Sequence, residues 1–551
     1  MKSRVISTRR RRISVLSIIT LAVLTASVIL SACAPTTPVE EPAAPPADTS
    51  EDATTEDATT EEEPVVEDTK SGGVLIAAYQ TDPVGFDPAV VGSMSSFLMI
   101  ELSYDTLVEY DKDMLIVPSL AEDWEVSDDN LEITMSLRQG VKFHDGEELT
   151  SEDVKFTFDR IKDPDTGSPR MGVFENLDSV EAVDTYTVKF VFNTEMGPFW
   201  AHLASPAQSI VQAGSTVDEL QTEMNGTGPF IMTSYEPKNK AVFEKYDGFW
   251  MEGLPYLDGL DIRFIEDETA ATNAFMTHTV DFLQFVSTKD MGMLEALDGA
   301  VGTPLTTSCS WNYTGINTTR EPFTDPKVRY AMALAKDRNA LIDSAYFGYG
   351  SPINGDITPD WTGGNSGREY FGEPNIELAK ELLAEAGYPD GFDTTFKVSP
   401  QYPWHLAAAE MYQADLAKIG INAELITMEW GAFLDAVFGT QDFDLQQCGW
   451  GGPFVDPDEF LYPEYHSGEG WNSQGFSDPE VDRLLEAGRN TLDPEKRKEI
   501  YYEVQKLILE SAPIVAGVNV PWLMIHWDNV NDFDFMPTGM LKSFRHTYLS
   551  E

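Results

Sequence analysis

Basic residues are scarce in this chain, and so are cysteine and histidine. Against 92 Asp and Glu there are 37 Lys and Arg, for a formal net charge of -55. That balance excludes nucleic acid as a natural partner, because polyanion binding depends on clustered Lys and Arg that displace counterions. Anionic membrane surfaces are disfavoured on the same ground. Seven His are scattered singly over 551 residues and offer no local pair for a zinc site, which needs several converging nitrogen or sulfur ligands. There is no nucleophile elbow, no phosphate-binding or dinucleotide glycine loop, no His-Glu-x-x-His and no Cys-x-x-Cys. His144-Asp145-Gly146 reads as a turn between a strand and a helix. Carboxylate pairs will arise by chance among so many acids, so their number does not argue for a hydrolase. No internal repeat follows the start of the folded body. What the chain does have is 42% hydrophobic and 11% aromatic residues, ample for packed cores in two to four domains.

The charge is unevenly distributed. Residues 1–32 hold six basic residues and no acid, followed by an apolar run from Ile13 to Ala32. This pattern reads as an export signal, with a retained anchor helix as its rival, since 20 apolar residues can span a bilayer. Leu30-Ser31-Ala32-Cys33 resembles the bacterial lipobox, which makes Cys33 the expected lipidation site and 1–32 a lipoprotein signal peptide. The arginines at 9–12 leave the twin-arginine export route open beside the general one. Residues 34–70 carry twelve acids and one Lys among Pro, Ala and Thr. Such a segment self-repels and cannot form a core, so 33–70 is expected to be a lipidated Cys and a disordered acidic tether. The body beyond it retains a net charge of -50. Its two cysteines, Cys309 and Cys448, lie in apolar strand-like contexts and read as buried thiols, with a disulfide as the alternative.

From residue 71 onward, strand and helix signals alternate and give an α/β class. Gly73–Tyr79, Leu131–Leu137, Tyr186–Phe192, Leu260–Ile265 and Val280–Phe285 read as strands. Helices are expected from Ser151, with Val154, Phe158 and Ile161 on one face, and over Ile376–Ala386, Leu406–Ile419, Pro479–Arg489 and Pro494–Ser511. Asn225-Gly226-Thr227-Gly228-Pro229-Phe230 is a turn entering a strand. Gly449–Pro463 reads as a Gly/Pro/Asp-rich loop, too apolar to be idle, and either a binding loop or a packed Ω-loop.

Ordered motifs in this body resemble the family 5 extracellular solute-binding proteins, the oligopeptide, dipeptide and nickel receptors of bacterial ABC importers. They are Leu102 to Tyr110 (LSYDTLVEY), Pro118 to Ser127 (PSLAEDWEVS), Leu137 to Gly146 (LRQGVKFHDG), Leu149 to Val154 (LTSEDV), Gly226 to Phe230 (GTGPF), Asn317 to Phe323 (NTTREPF), Asp325 to Arg329 (DPKVR) and Asp456-Pro457-Asp458. The resemblance covers about residues 72–551. It implies a periplasmic-binding-protein-like clamshell, two lobes with an extra inserted domain and a ligand cleft between the lobes. Lobe 1 would comprise 71–108, 224–317 and 521–551, the inserted domain 109–223 and lobe 3 residues 318–520, with crossings near Thr314–Thr318 and Val518–Trp522. It further implies no catalysis, no cofactor, a monomer, and a permease complex in the membrane as partner. The protein would be exported and lipid-anchored, facing the periplasm or exterior.

In peptide-binding relatives an Asp three residues after the Trp of a Gly-Trp motif resembles the usual partner of the peptide ammonium. Here Gly449-Trp450-Gly451-Gly452 is followed by Pro453. Asp456 could substitute, although an Asp-Pro-Asp turn more often caps a helix. Peptide is the leading ligand expectation. An oligosaccharide held on Trp450, Trp404, Trp311 and Trp430 is the alternative, nickel a third, and a secreted hydrolase the reading from another class. The expected ligand-binding residues are Trp450, Gly451, Pro453, Asp456, Trp404 and Trp311, with no metal site.

Overall fold

Among the described residues, four α-helices begin with the same dipeptide, and the reason is local chemistry. In Asp325-Pro326, Asp456-Pro457, Asp478-Pro479 and Asp493-Pro494 the Asp carboxylate accepts the N–H two residues on, of Lys327, Asp458, Glu480 and Glu495 respectively. The Pro occupies the first helical position, where a missing N–H costs nothing. The helix expected from Ser151 spans Ser151–Lys162 and starts on a capping box between Thr150 and Asp153. Its Val154, Phe158 and Ile161 are completely buried, as their spacing requires.

The computed structural model describes residues 70, 72–304, 308–451 and 455–550. Cys33, the tether before Lys70, and Pro453 lie outside the described residues. Among the described residues no helix is long and apolar enough to cross a membrane.

Three sheets organise the body. A four-stranded antiparallel sheet is formed by Ala121–Val126, Glu132–Leu137, Thr187–Phe192 and Leu177–Asp184, in that order. A seven-stranded sheet has Val74–Tyr79 at its centre, parallel to Gly259–Phe264 and Phe282–Leu283. Its edge beyond Phe282–Leu283 is built from Leu523–Trp527, antiparallel to it, and Ala300–Pro304, antiparallel to Leu523–Trp527 and so aligned with the central strands. The six-stranded sheet has Phe392–Val398 parallel to Ile421–Thr427 and to Leu445–Gly451. Ser310–Ile316 runs antiparallel between Leu445–Gly451 and Ile514–Asn519.

Register locates the cleft. In the seven-stranded sheet, Pro304 pairs with Leu523 at the edge where the parallel strands end in Tyr79, Phe264 and Leu283. In the six-stranded sheet, Ser310 pairs with Gly451 and Trp311 with Asn519, at the edge where the parallel strands end in Val398, Thr427 and Gly451. The chain passes between these sheets from Pro304 to Ser310 and back from Asn519 to Leu523. Both passages therefore join carboxyl edge to carboxyl edge. That is where ligands bind in open α/β sheets, because the loops after parallel strands and a change of connection leave a crevice there.

Three expectations are corrected. The first crossing lies before Ser310, not at Thr314–Thr318, and Ser310–Ile316 pairs wholly within the six-stranded sheet. Such a strand, almost entirely buried, is claimed on both sides by partners far away in sequence. The stretch Gly449–Pro463 is not one loop, since the strand runs to Gly451 and a helix occupies Pro457–Tyr465 with Pro463 inside it. The Asp456 cap starts that helix early. Of Val280–Phe285 only Phe282–Leu283 is strand. Cys309 and Cys448 are both buried thiols rather than a disulfide, with Cys309 Sγ 3.5 Å from the Pro537 carbonyl and Cys448 Sγ 3.4 Å from that of Gly449.

Candidate functional site

Between the Met94–Ser103 helix, the segments flanking the four-stranded sheet and the C-terminal segment lies a cavity of about 300 Å³. Its walls come from four parts of the chain. Glu101 and Tyr104 belong to the Met94–Ser103 helix and its end, Tyr110 and Ser209 to the segments flanking the four-stranded sheet, and Val455 to the approach to the Pro457–Tyr465 helix. Met536, Thr538, Met540 and Lys542 from the C-terminal segment complete it. That segment leans on both passages: Pro537 meets Cys309, and a Cβ on Gly539 would lie 3.2 Å from the Trp522 ring. Thioethers and phenols alternate with charge, as in small-molecule sites where a few polar groups orient an otherwise apolar solute.

Three of the charges in the wall satisfy one another. Glu109 meets Lys542 at 2.5 Å and Arg545 at 2.5 Å. Burial alone would raise the Glu109 carboxyl, but these two cations outweigh it and hold the group well below the ordinary carboxylate range. Glu101 is different. Burial pushes it up to about 8, opposed chiefly by the Leu541 N–H that donates to it at 2.6 Å. It therefore carries its proton at neutral pH.

An aromatic cluster stands at the carboxyl edge of the six-stranded sheet. Tyr402 and Trp404 follow the Phe392–Val398 strand, and Trp430 follows Ile421–Thr427. Tyr402 lies 6.0 Å from Trp404 and 5.3 Å from Trp430, centroid to centroid. Trp404 crosses the next strand at Gly449, where a Cβ would be 2.6 Å from the indole. Beside it, Trp450 meets Trp471 edge to face at 5.3 Å, and Trp471 meets Phe438 at 5.2 Å. Trp471 is 49% exposed and Tyr402 42%, a large apolar surface left open at a cleft.

Of the residues expected from sequence, Trp404, Trp450 and Gly451 are brought together at this edge. Gly451 is the exposed last residue of its strand, opposite Ser310. Trp311 is 1% exposed and stacked on Phe460 at 5.2 Å, so it belongs to the core and has no face for a solute. Asp456 is likewise committed: Arg497 holds both its oxygens, and the Asp458 N–H donates to Oδ1 at 2.9 Å. The Asp-Pro-Asp turn caps a helix, and an ammonium partner must be sought elsewhere. His144 is a structural turn residue, its ring nitrogens 3.0 Å from the Gly228 carbonyl and 3.2 Å from that of Met224. Trp471, Tyr402 and the cavity residues were not read from sequence. Trp471 carried a usable signal, a bulky aromatic among Gly, Ser and Asn. Among the described residues no group of three His, Cys, Asp or Glu is placed to hold a metal.

The family model of the bacterial extracellular solute-binding proteins, family 5 Middle, matches residues 116–472. The chain belongs to that family. This family 5 protein is 30% identical over 476 residues to the glutathione-binding protein GsiB of Salmonella typhimurium, spanning 84% of this chain and 92% of the relative. It is 30% identical over 503 residues to di/tripeptide-binding protein 1 of Pseudomonas aeruginosa, 85% and 93% of the two chains. Among solved structures it resembles the ABC transporter-associated periplasmic binding protein DppA of Helicobacter pylori in complex with the peptide STSA. That likeness has a TM-score of 0.72 at 28% identity, over 88% of this chain and 99% of the other. The cleft derived from strand register thus lies in a family 5 solute-binding fold.

Proposed function

We propose that this protein is the substrate-binding component of an ABC importer and that its solute is a short peptide. The single observation that carries the size is the cavity of about 300 Å³, walled by four parts of the chain, among them the C-terminal segment that touches both passages. It sits at the low end of the ~300–1,000 Å³ range of small-molecule sites, which suits two or three residues better than a long chain. The peptide-binding and glutathione-binding relatives support the class. Closure follows from energetics: contacts made by both sides of the cleft exist only when it is shut, so solute shifts the equilibrium by that difference.

In this reading the seven- and six-stranded sheets are the cores of lobes 1 and 3, the four-stranded sheet is the core of the inserted domain, and lobe 3 begins at about residue 308 rather than 318. Cys33 carries the lipid, the acidic segment tethers the body outside the cytoplasmic membrane, the closed monomer meets the permease, and no chemical turnover occurs. A second reading, an oligosaccharide, is favoured by one observation, the open faces of Tyr402 and Trp471 beside Trp404, Trp430 and Trp450. Native mass spectrometry of gently purified protein, followed by calorimetry with di- and tripeptide and oligosaccharide panels, decides between them. A co-purifying sugar with no peptide affinity would overturn the peptide assignment, and steady release of a cleaved product would overturn the transport role.

A further inference from the structure

The six-stranded layer is joined covalently to the rest of the body at only two passages, yet it grips that body at a third place. The turn between the Pro479–Arg489 and Pro494–Ser511 helices reaches the four-stranded layer, where Leu492, 9% exposed, packs into the apolar core of Phe190, Phe192, Met196 and Phe199. Three hydrogen bonds surround it. The Gly197 N–H donates to the Arg489 carbonyl at 2.8 Å, the Leu492 N–H to Glu195 Oε2 at 2.8 Å, and Asn176 Nδ2 to Asn490 Oδ1 at 2.8 Å. The approach is backbone to backbone, since a Cβ on Gly197 would lie 2.6 Å from the carbonyl oxygens of both Gly488 and Thr491.

The gripping turn is itself held rigid. Arg489 pairs with Asp458 at 2.8 Å and lies over the Tyr462 ring at 3.3 Å, while Arg497 pairs with Asp456 and donates to the Gly488 carbonyl at 2.9 Å. Both acids sit at the start of the Pro457–Tyr465 helix, so the turn moves with the layer that carries the aromatic cluster. None of Asn176, Glu195, Gly197, Asn490 or Leu492 lines the cavity.

We propose that Leu492 is a positioning residue for solute capture: inserted beneath the four-stranded sheet, it latches the cleft closed without touching solute and so sets the apparent affinity. The proposal rests on the reading that solute is held by closure. Apparent affinity scales with the fraction of protein in the binding-competent form, so a latch that raises that fraction tightens binding to any solute the cleft accepts. Withdrawing the turn from this pocket would bring Leu492, 9% exposed here, into water, and that cost favours the engaged arrangement.

The test is X-ray scattering of the full chain with no peptide added, comparing wild type with Leu492→Ser and with the conservative Leu492→Met. A larger radius of gyration in Leu492→Ser, near wild type in Leu492→Met, is expected. Titration with trialanine should show affinity reduced about tenfold in Leu492→Ser, mainly through faster release, if the closed fraction falls to about one in ten. Unchanged scattering in folded Leu492→Ser overturns the latch. Should that chain not fold, Glu195→Ala, which removes only the acceptor of the Leu492 N–H, must show the same direction, and wild-type scattering there overturns it equally. Failure of wild type to bind any peptide would instead remove the peptide reading, while the scattering comparison still decides the latch.

Discussion

Arg497 grasps Asp456 with both arms of its guanidinium, Nη1 to Oδ2 and Nη2 to Oδ1, each at 2.7 Å. Both residues are buried. A bidentate pair of this kind leaves the carboxylate no capacity for a ligand cation and turns the Asp-Pro-Asp motif into framework. The relationship explains how a residue that sequence offered as a solute contact instead stiffens the layer on which the solute site is built.

Asp456→Ala is expected to destabilise the protein by about 3–5 kcal/mol, because the Arg497 charge would remain buried and unpaired. Burial alone would raise the Asp456 carboxyl, but Arg497 outweighs it and the group is held below its ordinary value. A lowered carboxyl contributes stability above its unfolded pKa and loses it as pH falls through the folded one, so the wild-type advantage should fade below about pH 4. Urea unfolding of both chains from pH 3 to 7 checks the size and the sign.

Glu464 gives the opposite pH dependence. It is completely buried beside Tyr313 and Tyr465, and burial raises its carboxyl to about 8. A raised carboxyl leaves the folded state fully stable below the unfolded value and costs stability as pH rises toward 8. Glu464→Gln should therefore match wild type at about pH 4 and below and exceed it increasingly up to pH 8, with a slope difference no greater than about 1.4 kcal/mol per pH unit. Parallel stability curves across that range would contradict a protonated Glu464.

Trp430→Ala and Trp450→Ala should weaken solute binding by about 1–3 kcal/mol while the protein stays folded, the scale of one aromatic contact. Trp311→Ala should instead cost about 3–5 kcal/mol of stability, since it empties a packed core position. Calorimetry and thermal unfolding on the same three variants separate contact from core, and unaltered affinity in folded Trp430→Ala and Trp450→Ala would remove the aromatic cluster from the site.

Gly449→Val places methyl groups where the Trp404 indole now lies. Overpacking of this type costs about 1–3 kcal/mol. The displaced Trp404 should also lower solute affinity, whereas Gly387→Ala, at a position with no atom within 4 Å of the added Cβ but a φ of +94°, should touch stability alone. Equal affinities in wild type and Gly449→Val would separate Trp404 from the solute.

Cys33→Ala should leave the body folded and binding but without lipid. Metabolic labelling with palmitate and membrane partition read this directly, and unchanged labelling would exclude Cys33 as the modified residue.

Local chemistry was legible from the sequence alone. The Thr150 to Asp153 capping box, the Asp-Pro helix starts and the apolar spacing of Val154, Phe158 and Ile161 act within a few residues of themselves, so reading along the chain suffices. The family resemblance and the Gly449-Trp450 edge were legible for the same reason, because motifs are local strings. Only the tertiary structure decided which sheet Ser310–Ile316 joins, that Trp311 is core while Trp404 packs on Gly449 and Trp450 on Trp471, that Asp456 belongs to Arg497, and that Leu492 reaches the four-stranded layer. Each of these depends on a partner 41 to more than 200 positions away, such as Arg497 for Asp456 or Asn519 for Trp311. Sequence spacing cannot encode such pairings, since burial and charge compensation are properties of the packed whole.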